Sequence, residues 1–191
     1  MLANPVAFCF DNAGSIYVVE TYRIHAGVTD NRSHMYWLDD DLACNTVTDR
    51  DAKYRKHLKD QYKTYEKEDD RVRKLVDSTG KGGKPDKAYV FSDNYRSGVD
   101  GIGAGVLAHQ GKVYFTNIPS LWQLEDTQRK HLADVKKSLS TGYGVHTSFI
   151  GHDLHGLAVS PVDGKIYLNG QQKNESELSA AIGDQRHTAG H

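Results

Sequence analysis

Three of the ten histidines, His146, His152 and His155, crowd into the stretch GYGVHTSFIGHDLHGL together with Asp153. Imidazole changes charge near neutrality, so a histidine can take up a proton at working pH and later release it. Beside a carboxylate it can also bind a borderline transition metal. The cluster is therefore open to three readings: a general base, a metal site, or hydrogen bonding to backbone groups between strands. Extended chain would point His152 and His155 to opposite faces, which works against a shared metal. Arg23 and Arg96 are candidates to hold an anionic cofactor or sugar, with ordinary salt bridging as the alternative. Asp100, next to Gly101, suits a turn, and Trp37 and Trp122 suit packing more than a substrate platform.

Such groups work only if strands position them. Directly after the histidines come a strand at 156–160, a Pro-Val-Asp-Gly turn and a second strand at 165–168. The same phrase occurs as VAFCFDNAGSIYVVET from Val6 and GVLAHQGKVYFTNIP from Gly105. Each joins an apolar strand, a polar turn with Gly14, Gly111 or Gly164, a β-branched residue and a Tyr. Glycine supplies the positive φ of a tight turn and the flanking residues suit a pleated surface, so each phrase predicts a hairpin.

Further strand-like pieces lie at 71–76, 88–92, 120–124 and 137–140. Several short strands per unit around a recurring turn-Tyr phrase read as blades of a β-propeller. The interval from Gly14 to Gly111 is nearly twice that from Gly111 to Gly164, which predicts both an extra blade and an insertion. The insertion is placed at 39–70. Thr48 and Asp51 have capping-box spacing, and the Gly- and Pro-free run after them predicts one helix of about four or five turns. Its dense charge reads as a solvated surface.

Residues 77–87 (DSTGKGGKPDK) and 126–137 (DTQRKHLADVKK) begin and nearly end on Asp, as calcium loops do. Thr79, Lys81, Gln128 and Lys130 stand where acids would be needed, so both read as degenerate surface loops. With 38% hydrophobic and 26% charged residues and a net charge of -1, the chain lacks the basic excess of a nucleic-acid binder. No apolar run reaches membrane-span length, and the N-terminus lacks the basic-then-apolar layout of a signal peptide. Cys9 and Cys44 form no CxxC or CxxCH motif, which leaves no zinc or haem site to read from cysteine; Cys9 is expected as a buried free thiol. Residues 171–191 form a polar tail that reads as disordered.

Four longer stretches carry a resemblance: ETYR from Glu20, MYWLDDDLACNTVTDRDAKYRK from Met35, VDGIGAGVLAHQGKVYFTNIPSLWQLED from Val99, and GYGVHTSFIGHDLHGL from Gly142. Together they look like the propeller of planctomycete-type membrane-bound dehydrogenase proteins, similar to soluble pyrroloquinoline quinone (PQQ) sugar dehydrogenases, over residues 4–168. That resemblance implies a six-bladed propeller, often followed by helical repeats and a c-type haem domain. It implies a periplasmic or extracellular location, PQQ with calcium as cofactor, a sugar or alcohol as substrate, and a cytochrome as electron acceptor. It gives His155, before Gly156-Leu157, the place of the general base, and places His146, His152, Asp153 and Arg23 toward the cofactor. No haem motif occurs in this chain.

The expected fold is thus all-β: a partial propeller of about four blades over 4–170, with one inserted helix, reading as a fragment of a longer protein. The expected function is hydroxyl oxidation by a quinone-dependent dehydrogenase. The alternatives are a propeller module that binds carbohydrate or protein without redox chemistry, and an inactive truncated product.

Overall fold

The structure is a computed structural model that describes residues 2–146 and 154–169. Its first sheet is an antiparallel meander of β1 (Pro5–Phe10), β2 (Ile16–Glu20), β3 (Asp70–Val76) and β4 (Lys87–Tyr95). A second meander follows with β5 (Gly103–His109), β6 (Lys112–Asn117), β7 (Ser120–Glu125) and β8 (Val135–Thr141). A short hairpin, β9 (Leu157–Val159) and β10 (Ile166–Leu168), begins a third unit. All three hairpins expected from the repeated phrase are present. The first strands of the three units lie side by side, β1 against β5 and β5 against β9.

Alternation along the strands explains the packing. Tyr17, Val19, Val72, Phe91 and Tyr95 of the first sheet meet Val106, Val113, Phe115 and Leu124 of the second in one buried core. Tyr17 sits edge-on to Phe91 at 5.0 Å between ring centroids, and Tyr95 meets Phe115 at 4.7 Å. The sheets come close because Gly103 has no side chain; a Cβ there would lie 2.7 Å from Phe115 Cζ and 3.0 Å from Val19 Cγ1. On β1, Ala7 and Cys9 turn toward this core while Val6, Phe8 and Phe10 are exposed. Both cysteines are free thiols, Cys44 buried and Cys9 half-buried.

The two meanders repeat in detail. Between β3 and β4, Ser78 donates its N–H and hydroxyl to Asp86 at 2.7 and 2.6 Å. Between β7 and β8, Thr127 donates the same two groups to Asp134 at 2.8 and 2.5 Å. At the ends of the fourth strands, Ser92 and Tyr95 share a hydroxyl contact of 2.7 Å, and Ser140 and Tyr143 one of 3.0 Å. The calcium-like loops are surface turns that close on their own carboxylates: Asp77 also accepts from Thr79 and Gly83, and Asp126 from Lys130 and His131.

Several expectations need correction. No extra blade lies between Gly14 and Gly111; β3 and β4 complete the first sheet, and the insertion sits inside it between β2 and β3. The described residues therefore form two four-stranded sheets and a hairpin where about four blades were expected. The insertion holds two α-helices, α1 (Leu38–Leu42) and α2 (Val47–Leu58), with 3-10 turns at Asn31–Ser33, Met35–Trp37 and Lys59–Glu66. Its capping box is Thr46 and Asp49, two residues before the expected pair. The α-helix stops at Leu58 because Lys59 takes a left-handed φ of 48°.

Nor is the insertion's charge all solvated. Trp37, Tyr54, Leu58, Tyr62 and Tyr65 form a core of their own. Inside it Lys53 pairs with Asp41, both almost fully buried, and the ammonium also lies over the Trp37 and Tyr54 rings. No helix among the described residues is long and apolar enough to cross a membrane.

Candidate functional site

Successive connections of a meander alternate between its two ends. One end carries the insertion, the 96–102 loop and the approach to β9; the other carries the short turns within the hairpins. His146, His155 and Arg23 all belong to the first end.

Asp70, at the start of β3, is completely buried there. Its Oδ1 accepts from the Thr21 hydroxyl at 2.8 Å and the Tyr22 N–H at 2.9 Å, and its Oδ2 accepts from the Gly103 N–H at 2.6 Å. Burial raises its pKa above the usual carboxylate value, against the pull of these donors and Arg23. Asp100 closes its loop by accepting from the Ser97 N–H at 2.7 Å, the turn role expected for it; burial raises its pKa too.

Arg23 is also completely buried. Nη1 donates to the carbonyls of Tyr65 and Glu68 at 2.8 and 2.9 Å, and Nη2 to those of Gly27, Ser97 and Asp100 at 3.1, 2.9 and 2.9 Å. The guanidinium clamps the insertion, its own turn and the 96–102 loop together. A cofactor could reach those nitrogens only by displacing carbonyls, so the geometry gives Arg23 a structural role where the resemblance gave it a cofactor. Arg50, on α2, does the same work, holding the carbonyls of Gly144 and Val99. Burial lowers the pKa of both arginines.

His155 projects from the opposite situation. The preceding Leu154 is buried and its carbonyl accepts from the Thr116 hydroxyl at 2.6 Å. The carbonyls of His155 and Gly156 both accept from the Asn169 N–H at 3.1 Å. Gly156 turns the chain into β9 with φ of 66°, and the His155 side chain is exposed above this fixed backbone. His146 is likewise exposed, next to buried Val145. His152 and Asp153 lie outside the described residues, as does the tail expected at 171–191. Arg96 is exposed, Trp37 is buried in the insertion core, and Trp122 packs half-buried beside Tyr95.

Among the described residues no group of three or more His, Cys, Asp or Glu is placed to hold a metal ion. A cavity between the insertion and the loop, lined by Arg50, Tyr54, Val99 and Asp100 among others, measures about 10 Å3, room for no more than a water. An anionic quinone with calcium needs free cations and carboxylate oxygens. Arg23 and Arg50 are committed to backbone carbonyls and Asp70 to Thr21, Tyr22 and Gly103, so none of these three is available to hold that group.

Sequence reasoning passed over Asp70 and Arg50. Each lies in a run of charged residues, EDDR and TDRD, where nothing local separates the buried member from its solvated neighbours.

No curated protein and no solved structure matches the chain. Among protein families, residues 1–190 match DUF7133, described as a domain of unknown function.

Proposed function

The chain belongs to the DUF7133 family, and we propose that it forms consecutive blades of a β-propeller that serves hydroxyl oxidation, with His155 as general base. The propeller reading is supported by two meanders with the same turn and hydroxyl contacts, packed face to face, whose first strands adjoin in chain order. Radial repetition of this kind is how propellers bury their sheets.

The observation that carries the function is the exposed His155 side chain on a backbone pinned at Leu154, His155 and Gly156. Rigid backbone with an accessible imidazole is what proton removal from a sugar or alcohol hydroxyl requires: the base must be near neutral pKa and held in one place. In this reading His155 is that base, and the backbone hydrogen bonds around it are its frame. A quinone with calcium belongs to this reading only through the family resemblance.

A second reading, a propeller that binds carbohydrate or protein without redox chemistry, is favoured by the inward commitment of Arg23, Arg50 and Asp70. One experiment separates the two. The chain and its His155→Ala variant are titrated with PQQ and calcium, followed by absorbance and thermal shift, and then given sugars. Saturable binding with sugar-dependent quinone reduction, lost in the variant, supports the dehydrogenase. A folded, monodisperse chain that binds sugar but no quinone supports the binding module and overturns His155 catalysis.

A further inference from the structure

The other end of the sheets holds a larger concavity, remote from His146 and His155. The β1–β2 and β5–β6 turns and the β7–β8 loop surround a cleft of about 350 Å3, floored by Tyr17 and Phe91. That volume lies in the range of small-molecule sites.

Its lining holds three cations, Lys74, Lys112 and Arg129, of which Lys112 pairs with Glu125 at 3.5 Å. Asp11 and Asp126 are the carboxylates of the lining, and each closes its own turn: Asp11 Oδ1 accepts the N–H of Ala13 and Ser15, and Asp126 those of Lys130 and His131. Lys74 and Arg129 line the same cleft with no hydrogen bond or ion pair to a carboxylate among the described residues. The Lys74 ammonium lies over the floor, 5.3 Å from the Tyr17 ring centroid and 5.9 Å from that of Phe91. His131 stacks on Tyr89 at 4.4 Å, and its Nδ1 is buried without a hydrogen-bond partner among the described residues.

The rim is strained as well. Arg129 and His131, both cleft residues, hold positive φ of 55° and 61°, while the 50° of Gln110 is what its two-residue hairpin loop with Gly111 demands. Side-chain-bearing residues avoid that region, and such strain gathers where a structure positions groups for a ligand.

We propose that this cleft binds a small organic anion through a carboxylate or phosphate group. The Arg129 guanidinium offers a planar fork to such an oxyanion, Lys74 a point charge, and His131 a ring nitrogen. The site is independent of the function proposed for His155, because the two lie at opposite ends of the same strands.

The test is calorimetric titration of the full chain, near neutral pH and at low salt, with inorganic phosphate and separately with benzoate. Lys74→Gln and Arg129→Gln are compared with Lys165→Gln, an exposed control on the β9–β10 turn. The expected result is saturable binding of at least one anion, weakened about tenfold or more by each cleft variant and unchanged in the control. Preference for phosphate or benzoate identifies which oxyanion the cleft takes. Because Arg129 is exposed, its variant reads binding even if Lys74→Gln lowers stability. No saturable binding of either anion overturns the site, as does binding that the cleft variants leave intact or that Lys165→Gln weakens equally.

Discussion

The Asp70 carboxylate accepts the N–H of Gly103 at 2.6 Å, so the third strand of one sheet is tied to the first strand of the next. Its other oxygen holds Thr21 and Tyr22, at the point where the chain leaves β2 for the insertion. One buried side chain thus fixes the sheet pair and the root of the insertion together. Asp70→Ala leaves three donors without an acceptor and is expected to cost about 3 kcal/mol, measured by urea denaturation. A midpoint equal to that of the native chain would show that the tie is dispensable.

Arg23 should be equally intolerant of a conservative change. Lysine cannot reach five carbonyls from one head group, and Arg23→Lys is expected to cost about 2 kcal/mol. Gly27→Ala attacks the same clamp from outside, since its Cβ would lie 2.6 Å from Arg23 Cζ. Their effects should be less than additive in the double variant, because both act on one interaction. Strict additivity of the melting-temperature shifts would argue against the clamp.

The start of α2 is decided by Thr46, which accepts from the Asp49 N–H while Asp49 accepts from the Thr46 N–H. Thr46→Ala is expected to lose about 1 kcal/mol. Thr48→Ala, inside the first turn, should cost far less. Equal losses in the two variants would contradict this placement of the cap.

Acid stability should follow the paired turns. The Ser78 and Thr127 donors hold the Asp86 and Asp134 carboxyls below the usual carboxylate range. A lowered folded pKa contributes stability that is present above the unfolded value, about 4, and is lost as pH falls through the folded value. Melting temperature should therefore drop on the acid side of that value. Ser78→Ala with Thr127→Ala should flatten that part of the profile. Asp70 and Asp100, raised by burial, bear the opposite sign: their ionisation opposes folding as pH climbs from the ordinary carboxylate value through their raised ones.

The hairpins were legible because their signals are local. Gly14, Gly111 and Gly164 each adopt positive φ in a turn, and the alternation beside them states which face is apolar. The strands at 120–124 and 137–140 were found for the same reason, within a residue or two of their ends. The helix in the insertion was legible in kind but not in register. Two Thr-x-x-Asp pairs overlap there, and local spacing alone does not choose Thr46 over Thr48. The extra blade was misread because the interval alone cannot say whether its strands join an existing sheet or build a new one.

What the sequence determined by itself is the all-β character, the repeating hairpin phrase, the presence of a helical insertion and the position of His155 before a strand. Each depends on residues within a turn or two of one another. What only the tertiary structure decided is which charges leave water. Arg23, Arg50 and Asp70 resemble their solvated neighbours in sequence, yet they lie where the insertion closes over the sheet ends, and there each must find backbone partners. The cleft at the far end arises in the same way, since Lys74 meets Arg129 and His131 only after two sheets have packed face to face. Burial is a property of contacts between distant segments, and no local pattern encodes it.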